Sequence, residues 1–255
     1  MRNSPFTIKA GLTVGLLAML LAAAPAKANP QGEKVIRLVE QAFLSYKDQF
    51  GKYKYLIKNR GGDKIIKFTL YNKGTKRLIK FTYPGDVRGQ MVLMQSKDEM
   101  YIYLPAYRRV RRLAGHVRNQ GFMGSDLSLD DMSIGSWSKD YTTTLVKQDA
   151  KYWYLSLKKK AGRNPPYPRL KMRVLKKIHE ADKIEYMSRS GRALRTQTLT
   201  GWYCQGNSIM CAAKTILMID HRRGNHKTYL YEVESRFNVG ISNRKFTIRY
   251  LMRGG

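Results

Sequence analysis

A large antiparallel β-sheet preceded by one helix, an α+β chain that is mostly β, is the fold this sequence predicts. Three observations carry the prediction. Apolar residues alternate with polar or basic ones at a period of two from Lys52 almost to the end of the chain. Turn signals such as Gly61-Gly62 and Asn72-Lys73-Gly74 separate these runs into hairpins. Only one long segment, near the start, carries the helical period instead.

The chain opens with Arg2 and Lys9 before an apolar run from Ala10 to Ala24 and the triplet Ala26-Lys27-Ala28. This is the pattern of a secretory signal peptide, residues 1–28, cleaved near Ala28. The apolar run is shorter than the roughly 20 residues a bilayer-spanning helix needs, and no cysteine follows the cut to accept a lipid. Residues 29–255 are therefore expected to form a single exported domain.

From Glu33 to Gln49, Val35, Ile36, Leu38, Val39, Ala42 and Phe43 recur at intervals of three and four, which predicts an amphipathic helix. Tyr53, Tyr55 and Ile57 then begin the alternation, Ile66, Phe68 and Leu70 continue it, and Ile79, Phe81 and Tyr83 make a third strand. The pattern runs through 90–95, 100–104, 141–147, 152–158, 170–175, 183–187, 193–199, 215–220 and 228–235, and 245–252 is read as a closing strand. Ten or more strands in unbroken meander order predict one large sheet. Basic residues mark one face, as Arg169, Lys171 and Arg173 do against Leu170, Met172 and Val174, so the other face meets a core or a cavity. A closed outer-membrane barrel alternates in the same way, but the leading helix and the many basic strand residues argue against it.

Two segments interrupt the alternation. Gly162 to Pro168 is kept out of any strand by its prolines. From Gly121 to Ser136, Ser125 or Ser128 can cap a short helix with Asp130 and Asp131 in its first turn, and this segment is the candidate flap.

Cys204 and Cys211 flank Gly206 and Asn207. In an exported chain they are expected to join as a disulfide that pins a hairpin tip, worth at most roughly 2–3 kcal/mol for so short a loop. Their spacing suits neither a redox CxxC motif nor a zinc site. No catalytic pattern emerges: Ser125 lacks the G-x-S-x-G spacing, His116, His179, His221 and His226 are scattered, and no glycine loop cradles phosphate. His221 and His226 flank a turn where solvent is the expected partner. No cofactor and no metal are expected.

The formal charge of +30 implies attraction to anionic surfaces, and only Arg2, Lys9 and Lys27 leave with the signal peptide. Arg108, Arg109, Arg111 and Arg112, set among tyrosines, have the mixture of a single-strand nucleic-acid binder, but export makes that partner improbable. They are expected instead to act as a latch, pairing with Asp126, Asp130 and Asp131 of the flap, and as a docking surface.

YLPAYRRVRRL followed by GFMGSDLSLDDM resembles the LolA-like family of outer-membrane lipoprotein-sorting proteins, as does the closing FNVGISNRKFTIRYLMR. The match falls on Tyr103, Leu104, Pro105, the four arginines, Phe122, Met123, Gly124, Ser125 and Asp126. The resemblance implies an open half-barrel whose concave face is covered by the N-terminal helix and a short helical flap, with a hydrophobic cavity between them. It implies a periplasmic carrier of lipid or lipoprotein acyl chains, supplied by an inner-membrane transporter of ABC or RND type and delivering to an outer-membrane acceptor. Met91, Leu93, Tyr103, Leu104 and residues 122–126 are the expected cavity wall and lid, and methionines there suit a lining that repacks around variable chains. The charge and the cysteine pair depart from the best-known carriers. An envelope-stress sensor on the same fold and a basic module binding anionic lipid or lipopolysaccharide by its surface are the alternatives.

Overall fold

The computed structural model describes residues 29–118, 120–132, 136–206 and 209–255. The signal peptide expected over 1–28 lies outside them, as do residues 133–135 of the expected flap and Asn207 of the expected turn.

Helix α1, Pro30–Phe43, begins where the local chemistry favours it. The Asn29 side chain accepts a hydrogen bond from Gly32 N at 2.7 Å, Pro30 occupies the first turn and Glu33 supplies an acid there. Val35, Ile36, Val39 and Ala42 form its buried stripe. The helix stops at Phe43, short of the expected Gln49, because Asp48 and Gln49 already belong to a strand. Pairing on both sides of that strand outweighs the local helical period.

Thirteen strands follow: β1 Asp48–Ile57, β2 Lys64–Lys73, β3 Lys76–Tyr83, β4 Met91–Met94, β5 Met100–Leu104, β6 Arg109–Arg112, β7 Tyr141–Gln148, β8 Tyr152–Lys159, β9 Arg169–Leu175, β10 Glu180–Met187, β11 Ala193–Cys204, β12 Cys211–Asp220 and β13 His226–Phe237. They form one sheet in the order β6-β5-β4-β3-β2-β1-β13-β12-β11-β10-β9-β8-β7. All neighbours are antiparallel, and β6 and β7 are its two open edges, so the sheet is the half-barrel expected and not a closed barrel.

The meander is broken once. Six hairpin-linked strands run out from β1 to the edge at β6, the chain crosses to the opposite edge at β7, and seven strands return to pair β13 with β1. The crossover carries α2 Gly115–Arg118, a 3-10 turn Phe122–Gly124, α3 Leu129–Met132 and α4 Trp137–Asp140. Helix α3 is capped by Ser128, whose Oγ accepts from Asp131 N at 3.1 Å while Asp131 returns the bond to Ser128 N at 2.8 Å.

Alternation divides the apolar residues between two cores. On the face that carries α1 and the crossover, Tyr55, Ile66, Phe68, Ile79, Phe81, Val92, Met94 and Met100 pack with Ile36, Val39, Leu127 and Leu129. Helix α1 lies so close to edge strand β7 that a Cβ on Gly32 would stand 2.6 Å from Thr143 O, and Glu33 accepts the Thr143 N–H at 2.8 Å. That contact covers one edge of the sheet.

On the outer face, Leu78, Met91, Leu93 and Tyr103 pack under Ile241, Phe246 and Leu251. The residues read as a closing strand over 245–252 form a 3-10 turn, Asn243–Phe246, and helix α5, Ile248–Met252. Thr247 caps α5 by accepting from Tyr250 N at 3.2 Å, and Asp48 holds the approach to it by accepting from Val239 N and Ile241 N at 2.7 and 2.9 Å. Among the described residues no helix is long and apolar enough to cross a membrane.

Candidate functional site

Between the sheet and the crossover lies a cavity of about 200 Å³. Its wall is mainly apolar: Phe43 of α1, Tyr55, Phe68, Leu70 and Ile79 of the near half-sheet, Leu199, Trp202, Ile216 and Leu230 of the far half, and Leu127 and Met132 of the crossover. The disulfide lies at its rim. Cys204 and Cys211 are cross-strand partners at the tip of the β11–β12 hairpin, and Cys211, Ala212 and Ala213 line the cavity, so the bridge fixes one wall as well as pinning the tip.

A polar strip runs through this wall. Asn72 Nδ2 donates to Gln49 Oε1 at 2.7 Å, and Gln49 Nε2 donates to Ser235 Oγ at 2.8 Å and to Tyr53 Oη at 3.3 Å. Tyr53 and Tyr203 both donate to Glu232. Burial raises the Glu232 carboxyl, and it raises the Tyr53 phenol strongly. Glu180 also faces the cavity, and burial alone pushes its carboxyl up to about 8.

The crossover is fastened to both halves of the sheet. Arg195 of β11 is 3% exposed, and it donates from Nη1 to Asp131 Oδ2 at 2.8 Å and from Nε to Asp220 Oδ2 at 3.0 Å. Tyr167, from the proline loop, donates to Asp131 Oδ1 at 3.1 Å and accepts from Arg195 Nη1 at 2.9 Å. Burial acts to raise the Asp220 carboxyl, but hydrogen bonds from Arg222 and Arg195 outweigh it and hold the group at about 2. On the near half, Arg77 of β3 donates to the Met132 carbonyl. A second anchor is Asp126, wholly buried. It accepts from Thr228 Oγ1 at 2.7 Å, contacts His226 Nδ1 at 2.7 Å and pairs with Arg223 at 2.9 Å, while its own N–H donates to Thr228 Oγ1 at 2.9 Å.

This geometry redistributes the expected roles. Phe122 and Met123 pack against the main core, Phe122 with its ring 5.7 Å from that of Phe81, and Gly124 adopts the left-handed conformation that glycine tolerates. Ser125 donates to the Phe122 and Leu127 carbonyls. Residues 122–126 thus anchor the crossover, and the cavity is lined instead by Leu127, Asp131 and Met132. Met91, Leu93 and Tyr103 belong to the outer core under α5, because the pleat sends them to the face opposite Val92 and Met94. Leu104, half-buried at the end of β5, also lies outside the cavity lining.

The latch expected of Arg108, Arg109, Arg111 and Arg112 does not form. All four are exposed, and among the described residues no ion pair joins them to Asp126 or Asp131, which pair with Arg223 and Arg195 instead. The crossover leaves edge strand β6 and runs to the other half of the sheet, so its acids meet Arg195, Arg223 and His226 there. His226 therefore has a carboxylate partner where solvent was expected, and His221 contacts Thr196 and Asn225. Arg77, Arg195, Glu180 and Tyr167 were missed from sequence because each sits in a basic or alternating strand, or in a proline loop, that reads as solvated surface.

A family model described as that of an uncharacterized protein matches residues 73–253. No curated protein matches this chain. Among solved structures, an outer membrane lipoprotein-sorting protein domain from Vibrio parahaemolyticus is 22% identical with a TM-score of 0.79, over 88% of this chain and 99% of that one. A DUF1329 family protein from Desulfovibrio piger is 22% identical with a TM-score of 0.78, over 88% and 99%. A LolA superfamily protein from Nitrosomonas europaea is 16% identical with a TM-score of 0.69, over 86% and 98%. Since the family model spans most of its length, the chain belongs to this family of uncharacterized proteins, and it carries the open LolA-like half-barrel.

Proposed function

We propose that the protein is an exported, periplasmic carrier that shelters acyl chains of a lipid or lipoprotein between its sheet and its crossover. The observation that carries this reading is the largely apolar cavity enclosed by a segment tied down through a few polar contacts. A buried methylene is worth about 0.8 kcal/mol, so a sixteen-carbon chain in water costs on the order of 10 kcal/mol or more. A protein wall that replaces the membrane removes that cost during passage through an aqueous compartment. The cavity is smaller than the roughly 300–1,000 Å³ of pockets that hold drug-sized ligands, so loading a full chain requires the crossover to shift. Residues 127–132, largely buried against the sheet and held through Asp131 and Met132, are the part that must release, and the Asp126 anchor is the hinge.

The exposed arginines of β6 support a docking role on anionic headgroups, with a transporter and an acceptor membrane as the exchange partners. No catalytic role, cofactor or nucleic-acid partner is part of this proposal. The mature protein, isolated from the export compartment in high salt, should retain lipid in stoichiometric amount by native mass spectrometry and extraction. An empty protein that binds anionic vesicles only at low salt would favour a surface-binding module. Capture of a single regulatory ectodomain, without a transporter, would favour an envelope sensor.

A further inference from the structure

One charge in the cavity is unmatched. Arg77 lines it from β3, its guanidinium carbon 5.5 Å from the centre of the Phe43 ring and one nitrogen donating to the Met132 carbonyl. Its Nε is buried and has no hydrogen-bond partner among the described residues. Every Asp and Glu of the chain lies within the described residues, and none of them pairs with Arg77. Of the acids on the cavity wall, Asp131 is already taken by Arg195 and Tyr167, and Glu232 by Tyr53 and Tyr203. Glu180 faces the cavity too but makes no ion pair with Arg77 among the described residues.

Asn72 stands directly across the β2–β3 ladder from Arg77, and its Oδ1 is also buried without a partner. A small shift that joined the two would satisfy a hydrogen bond and leave the net charge as it is. Arg77 is half-buried with its Nε out of reach of water, and a guanidinium held in this way against apolar surface without a counter-ion is a group that an anion would complete. A planar fork of donors is also the side chain best suited to a carboxylate or phosphate.

We infer that the cavity is built for a single-chain amphiphile with an anionic head, a carboxylate or phosphate, whose head pairs with Arg77 while its chain lies along the apolar wall. The inference rests on the carrier reading and names its ligand class: one chain with an acid at its end, which suits a cavity of about 200 Å³ better than a lipid with two or three chains.

The test is calorimetric titration of the mature protein with laurate, dodecyl phosphate and methyl laurate, all below their aggregation concentrations. Salt at about 0.5 M screens the basic surface. Laurate or dodecyl phosphate should bind at least roughly tenfold more tightly than the neutral ester. Whichever of the two binds better identifies the head. Arg77→Met should abolish the preference, so that anion and ester bind with the same affinity even if the loosened crossover changes both, and Arg77→Lys should restore part of the difference. Equal affinity for all three ligands would overturn the assignment to Arg77 while leaving the acyl-chain cavity standing. If none binds, with no change in Trp202 fluorescence, the carrier reading fails and this inference fails with it. If Arg77→Met does not fold, the wild-type comparison of anion and ester decides alone.

Discussion

Glu180 on the cavity wall and Arg195 behind the crossover show how differently two buried ionisable groups behave. Glu180 has no cation beside it, so the folded chain holds its carboxyl near 8 while the unfolded chain ionises it near its ordinary 4.5. A raised folded value means that stability falls as pH rises between those two limits and stays low above them. Glu180→Gln should therefore melt several degrees above the parent at pH 8.5 and close to it at pH 4, given about 2–4 °C per kcal/mol for a domain of this size. Equal melting temperatures at both values would show that the carboxyl is not desolvated. Arg195, by contrast, is shared by Asp131 and Asp220, so removing it strands two buried acids. Arg195→Gln should cost about 3–5 kcal/mol in urea unfolding. The Asp220 side of this network is lost only as pH falls through about 2. Neither residue could be picked from sequence, because burial of a charged side chain depends on what crosses over it. The FMGSD block was legible as a marker, yet its side chains turned out to serve as the fastening and not the lining.

Strand periodicity was readable because most strands bury one face, and the first twelve of the thirteen runs agree with the sheet. What the period could not decide was the state of short segments whose partner lies far off in sequence. The segment 245–252 alternates well enough to pass for a strand, but Thr247 caps a helix there that seals the outer core. The same limit hid the facing of β4, where all four residues are buried and alternation alone cannot say which side is the cavity. Strand β6 is the opposite case, an edge strand whose arginines face solvent. Replacing Arg108, Arg109, Arg111 and Arg112 together by Gln should weaken binding to anionic vesicles at low salt and flatten its salt dependence. Binding of a neutral ligand in the cavity should be unchanged. Vesicle binding that survives the change would move the docking surface elsewhere on this basic chain.

At the level of the whole molecule, the charge announced a strongly basic protein, the alternation announced one large sheet, and the family resemblance announced that it is open. The route by which the chain builds that sheet was not legible. Each outer half consists of neighbouring hairpins, whereas the centre joins the first strand to the last, with Gln49 opposite Phe237. That seam has a consequence for the order of events during folding. Contacts between neighbours in sequence close small loops and form quickly, while a pairing between the two ends must wait for nearly the whole chain. In pulse-labelled amide exchange, the β8–β9 and β2–β3 hairpins should gain protection before the β1–β13 ladder, and simultaneous protection would contradict this order. Until the ladder closes, two half-sheets each expose an unpaired inner strand, β1 and β13, and the two faces that will form the cavity stand apart. A newly made copy is thus at its most aggregation-prone immediately before completion, and its cavity is the last part of the molecule to exist.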